Sequence, residues 1–252
     1  MIDSQIAGTM NSLTGYAQQL TERGAELPAP IVAATARLHA LQTATHDVPN
    51  LLKVRETYAR RLVDGDSPRP GEWVELVTLD ERHRVHVAAE NVAARELVAT
   101  WRHHAADVVR LARTTWHEPA VTALASLAER VPAGATVATL QRAGRADDAR
   151  DLATADVYLA DIRVACDLRG RVSKVSVTAD WLWKNQHEIH DVNLPHAGID
   201  VDAWLTAFRA GGVAWFPTTA ELTKHRAAIR REHGAAQEAK RDKRGARAIM
   251  TL

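Results

Sequence analysis

One cysteine, Cys166, is the chain's whole stock of thiol, which excludes an intrachain disulfide framework and any cysteine-built zinc site. No window approaches ~18 uninterrupted apolar residues, so no membrane span is expected. The opening Met1-Ile2-Asp3-Ser4-Gln5 lacks the basic start and apolar core of a signal peptide. Together these absences predict a cytoplasmic protein. Phosphate-cradling loops of the G-x-x-x-x-G-K-[ST] or G-x-G-x-x-G type are missing, and so is the G-x-S-x-G nucleophile elbow. Nothing in the sequence asks for a cofactor, and none is expected. Phe and Tyr are scarce, at two and three, against seven Trp.

What fills the chain instead is Ala, Leu, Arg and Glu, the good helix formers, in the texture of GC-rich coding. The predicted fold is mainly α: an elongated helical bundle organised on one long central helix, about 72–116, with at most a minor β element near 171–178. The stretch from Glu72 to Trp116 follows a Pro70-Gly71 break, stops short of Pro119 and contains neither Pro nor Gly. Fully helical, it would run roughly 65 Å. Alternating steps of four and three pick out Val87, Asn91, Ala94, Val98, Trp101, Ala105 and Val108, a seam of the coiled-coil type and the candidate interface. Extended backwards, the same frame meets Arg84 and Asp80, so only the second half of the seam is clean. Asn91 on the seam is a candidate for fixing register.

Four domains are predicted. Residues 1–64 form a helical cluster, with stripes Ile6, Met10, Leu13, Ala17, Leu20 and Ile31, Ala34, Leu38, Leu41, and a stop at Gly24. Residues 72–170 form a long helical hairpin or bundle whose second stripe is Leu152, Ala155, Leu159, Ile162 and Cys166. Its cysteine is thus a small core residue, without the exposed electropositive setting of a nucleophile. Residues 171–217 form a Trp-rich subdomain, in which Arg171 to Thr178 is the only strand-like run. Residues 218–252 form a basic helix and tail, opened by a Thr218-Thr219-Ala220-Glu221 capping box.

The net charge of +1 conceals an asymmetry. Nine cations, Lys224, Arg226, Arg230, Arg231, Lys240, Arg241, Lys243, Arg244 and Arg247, face three acids over 223–247, an excess of six on an otherwise acidic chain. Such a segment gains affinity for phosphates through counterion release, which makes these nine the candidate nucleic-acid contacts. Twelve His also invite a metal reading. The best group is His187, His190 and His196, where an i,i+3 pair could share one ion with a loop ligand.

The sequence therefore predicts a non-catalytic helical binding protein: an adaptor, assembly or regulatory factor. It would act through a coiled-coil or bundle surface, on a protein partner or itself, and through a basic C-terminal tail, with no membrane partner. A DNA- or RNA-binding regulator using the basic helix is the alternative. A metal-dependent enzyme at His187, His190 and His196 is the third reading.

Overall fold

The computed structural model describes residues 4–46, 51–66, 69–173, 182–185, 195 and 200–231. The fold is mainly α, and among the described residues there is no sheet, only an isolated antiparallel bridge between Trp183 and Ala214. None of the described helices is long and apolar enough to cross a membrane. The chain divides into two compact units, 1–111 and 112–252.

In the first unit, α1 (Ser4–Glu22), α2 (Ala29–His46) and α3 (Leu51–Val63) all pack on α4 (Pro70–His103). Met10, Leu13, Ala17 and Leu20 of α1 and Ile31 and Leu38 of α2 are buried, as helical spacing predicts. Polar ties fix how α2 and α3 lie on α4. His86 Nε2 sits 2.8 Å from Leu41 O, and Arg37 Nη1 is 2.9 Å from Glu96. Arg61 near the end of α3 reaches Asp66 at 2.8 Å and Glu72 at 3.1 Å. Glu72 also accepts from Arg69 N at 2.7 Å, satisfying one of the donors that a helix start leaves open. Asp80 and Arg84, the charges that interrupt the seam, have a structural role: they pair at 2.9 Å, and Asp80 also takes Arg55 of α3.

The long helix is not one element. α4 stops at His104, where φ is −93° and ψ 20°, and α5 (Ala105–Ala112) restarts it. The second unit then begins with a π turn, Arg113–His117, that runs straight into α6 (Glu118–Arg130). The expected stop before Pro119 does not occur. Proline lacks an N–H and collides with the carbonyl four residues back in a regular α-helix. A π turn widens the ladder just ahead of it, and Pro119 takes the N1/N2 region of α6 with the backbone still helical.

α7 (Val137–Arg142), α8 (Ala146–Thr154) and α9 (Asp156–Ser173) follow. Ala155, Leu159, Ile162 and Cys166 are buried as the stripe predicts. Burial pushes the Cys166 thiol up to about 12, so it is inert. The helix overruns Gly170 to Ser173, so 171–173 of the strand-like run are helical; 174–178 lie outside the described residues. α10 (Val201–Arg209), capped by Asp200 through a 2.9 Å bond from Ala203 N, packs on α6. Arg209 donates to Ala128 O at 3.2 Å and Val131 O at 2.7 Å, satisfying carbonyls at the end of α6. Gly211, at φ 85°, closes α10 with the bonds Gly212 N to Ala207 O and Gly211 N to Phe208 O, both 2.9 Å. Trp183 and Trp204, both fully buried, pack with Phe208 around this turn in tilted and edge-to-face contacts, with centroids 5.0 to 5.9 Å apart. Helical residues 219–231 come last among the described residues.

Candidate functional site

The seam read from sequence lies inside the first unit. Ala94, Val98, Trp101 and Val108 are buried, while Val87, Asn91 and Ala105 are half-buried. Asn91 Nδ2 donates to Val87 O of its own helix at 2.8 Å, so its polarity is satisfied locally. Trp73, which shares the backward-extended frame, stays 41% exposed and stacks on Tyr58.

The opposite face of α4 carries the unexpected feature. At about 100° per residue, Val74, Glu81, Val85, Ala88 and Val92 fall within a narrow stripe roughly half a turn from the buried seam. Val74 is 66% exposed, Val77 65%, Val85 61% and Val92 53%. A surface helix ordinarily keeps one face polar. α4 instead has two apolar faces, one covered by α1, α2 and α3 and one bare. A groove of about 540 Å³ runs along the bare face past Val77, Glu81, Val85 and Ala89. Glu75 and Arg82, both exposed, lie on one flank of the stripe, one heptad apart.

Of the nine candidate nucleic-acid contacts, Lys224, Arg226, Arg230 and Arg231 are exposed on the helical stretch 219–231. The helical wheel puts Lys224 with Arg231 and Arg226 with Arg230, on sides about 130° apart. Lys240, Arg241, Lys243, Arg244 and Arg247 lie outside the described residues, as do His187, His190 and His196. Among the described residues no group of three or more His, Cys, Asp or Glu could hold a metal ion.

A second cluster, in the second unit, escaped the sequence reading. The π turn and the start of α6 present Arg113, His117 and Glu118 to a cavity of about 390 Å³, closed on another side by Lys184, Trp215, Phe216 and Glu221. Arg113 Nε donates to Phe216 O at 2.7 Å and its guanidinium pairs with Glu221 at 2.5 Å. Glu221 also accepts from Thr218 N at 2.5 Å, completing the predicted capping box with the Glu221 N to Thr218 Oγ1 bond of 3.3 Å. The Arg113 guanidinium holds the Glu221 carboxyl down to about 2. His117 is 1% exposed, with its ring 4.9 Å from Phe216. Burial, helped by the Arg113 and Arg169 cations, lowers its pKa to about 3, so the ring is neutral at pH 7. Arg169 is buried with its guanidinium 5.1 Å from the Phe216 centroid; burial lowers its pKa to about 9.

Both groups left a trace in the sequence. Ala120, Leu124 and Leu127 form a buried stripe that extends back to His117, and the stripe Leu159, Ile162, Cys166 extends forward to Arg169. A titratable residue in step with an apolar stripe is the signal. No protein-family model, curated protein or solved structure matches the chain.

Proposed function

We propose that this chain is a non-catalytic binding protein that self-associates through the bare valine face of α4. The observation that carries this reading is the exposed stripe Val74, Val77, Val85 and Val92 on a helix whose other face is already buried. A second copy is the favoured occupant because the flank is self-complementary. Glu75 and Arg82 are exposed, opposite in sign and on one flank. An antiparallel two-fold axis passing between residues 79 and 80 sets Val74 against Val85 of the second copy, and Glu75 against Arg82, twice over. The seam Val87, Asn91, Ala94, Val98, Trp101, Ala105 and Val108 then serves as the core that holds α4 rigid, and the contact to the partner is made on the reverse side.

Sedimentation tests it. The expected mass is a multiple of 27.6 kDa, falling to 27.6 kDa for Val85→Lys. Arg82→Glu should weaken association and the exchanged pair Glu75→Arg/Arg82→Glu should restore it. A 27.6 kDa species at every concentration overturns the proposal.

A second reading assigns the basic C-terminal segment to nucleic acid. The exposure of Lys224, Arg226, Arg230 and Arg231 supports it. Their placement on two sides of one helix suits non-specific phosphate contact better than insertion of a single face into a groove. Affinity for duplex DNA should fall steeply with salt and vanish when the chain is cut after Thr223; undetectable or salt-independent binding excludes it.

A further inference from the structure

The cavity beneath the π turn has walls of an unusual kind. His117 Nε2 and Trp215 Nε1 are buried with no hydrogen-bond partner among the described residues, and both residues line this space. Buried polar atoms are nearly always satisfied, and an orphan in a native fold calls for a cause. Trp101 and Trp204 also carry unpaired indole nitrogens, but Trp215 shares a cavity wall with a second orphan. At about 390 Å³ the space is of small-molecule size.

The chemistry of the walls narrows the occupant. An indole N–H only donates, and the neutral His117 ring can donate from Nε2 in one of its tautomers. The complementary group must therefore accept. Arg113 is held in place by Phe216 O and Glu221, so it contributes a fixed positive charge without being free to leave. Lys184, exposed at the cavity, forms no ion pair among the described residues and can turn its ammonium to an anion. Phe216 and Val121 supply an apolar wall. Glu118, exposed at the same opening, opposes an anion.

We infer that this cavity binds a small organic carboxylate with an apolar body, its oxygens taking the Trp215 and His117 N–H groups and its charge facing Lys184. Neither orphan nitrogen is in contact with water, so entry requires the half-buried Trp215 ring to turn. That ring is consequently the reporter. The site lies wholly in the second unit and is independent of self-association by α4.

The test follows the indole N–H resonances of the full chain during titration with benzoate, using benzamide as the uncharged isostere. The Trp215 signal is assigned by its loss in Trp215→Phe. Benzoate should shift that signal saturably at millimolar or lower concentration, and benzamide should not. Lys184→Gln should weaken benzoate roughly threefold or more, and Glu118→Gln should tighten it by a similar factor, as expected for partly solvated charges near the ligand. Both substitutions are at exposed positions, so the fold is kept. No saturable shift, equal response to benzamide, or indifference to both charge substitutions overturns the inference.

Discussion

Glu221 ties Arg113 to the start of its own helix: one carboxylate oxygen lies 2.5 Å from the guanidinium and 2.5 Å from Thr218 N. The π turn that carries Arg113 is thereby joined to a segment more than a hundred residues further along the chain. The folded-state pKa of Glu221, about 2, lies below its unfolded 4.5. Its contribution to stability is therefore complete above pH 4.5 and is lost as pH falls from 4.5 toward 2. Nearly half of the carboxylate side chain is exposed, so solvent screening holds the pair to about 1 kcal/mol. Glu221→Gln should lower stability at pH 7 by that amount in urea unfolding and have a much smaller effect at pH 2.

His117 works in a different window. Its folded-state pKa of about 3 is below the unfolded 6.5, so unfolding takes up a proton between those values. The stability it confers by staying neutral is full above pH 6.5 and drains away as pH falls toward 3, by about 5 kcal/mol at the acid end. The wild-type unfolding free energy should decline between pH 7 and pH 5, before Glu221 begins to titrate. In His117→Phe that early decline should disappear; its persistence would assign it elsewhere.

α4 offers a paired comparison. Val98 is 8% exposed and Val85 is 61% exposed, on opposite sides of one helix. Val98→Asp buries a charge without a partner and should cost several kcal/mol or prevent folding. Val85→Asp should leave the circular dichroism and melting of the monomer within ~0.5 kcal/mol of wild type, and should dissociate the assembly if one forms. Trp101→Ala, at a fully buried ring, should cost roughly 3–5 kcal/mol.

The turn after α10 separates two kinds of glycine. Gly211 needs its positive φ, and Gly211→Ala should cost about 1 kcal/mol. At Gly212 a methyl would lie 2.7 Å from Ala207 O and 2.7 Å from Trp183 Cζ3. Gly212→Ala must push the aromatic cluster or break the helix stop, for an expected loss of roughly 1–3 kcal/mol in thermal unfolding.

How far the fold could be read from sequence depended on which residues speak locally. The stop at Gly24, the capping box at Thr218, and the stripes of α1, α2 and α9 are short-range signals, and the structure bears them out. Pro119 misled because its usual effect presumes a regular α-ladder, and a one-turn change to π geometry removes the clash. Asp80 and Arg84 looked like a broken seam because the second partner of Asp80, Arg55, comes from another helix. The cavity was illegible for a related reason. Arg113, Lys184, Trp215 and Glu221 come from distant stretches, and only His117 stood in step with its own apolar stripe. The candidate interface was legible as an apolar seam, but spacing does not say which of two apolar faces a helix turns inward.

That last ambiguity was also a problem for the chain itself. A helix with an apolar stripe on each side can be laid on its neighbours in two rotations, half a turn apart, and both hide hydrophobic surface. Volume settles the choice. The inward face brings Leu97 and Trp101, whereas the outward one offers valines and alanines around Glu81, so the wrong rotation would leave an indole in water and bury a carboxylate in a poorly filled core. Misrotated α4 is thus the packing that this difference in volume selects against. Enlarging the outer stripe, for example by Val85→Trp, would level the two rotations and slow folding long before it altered the final structure.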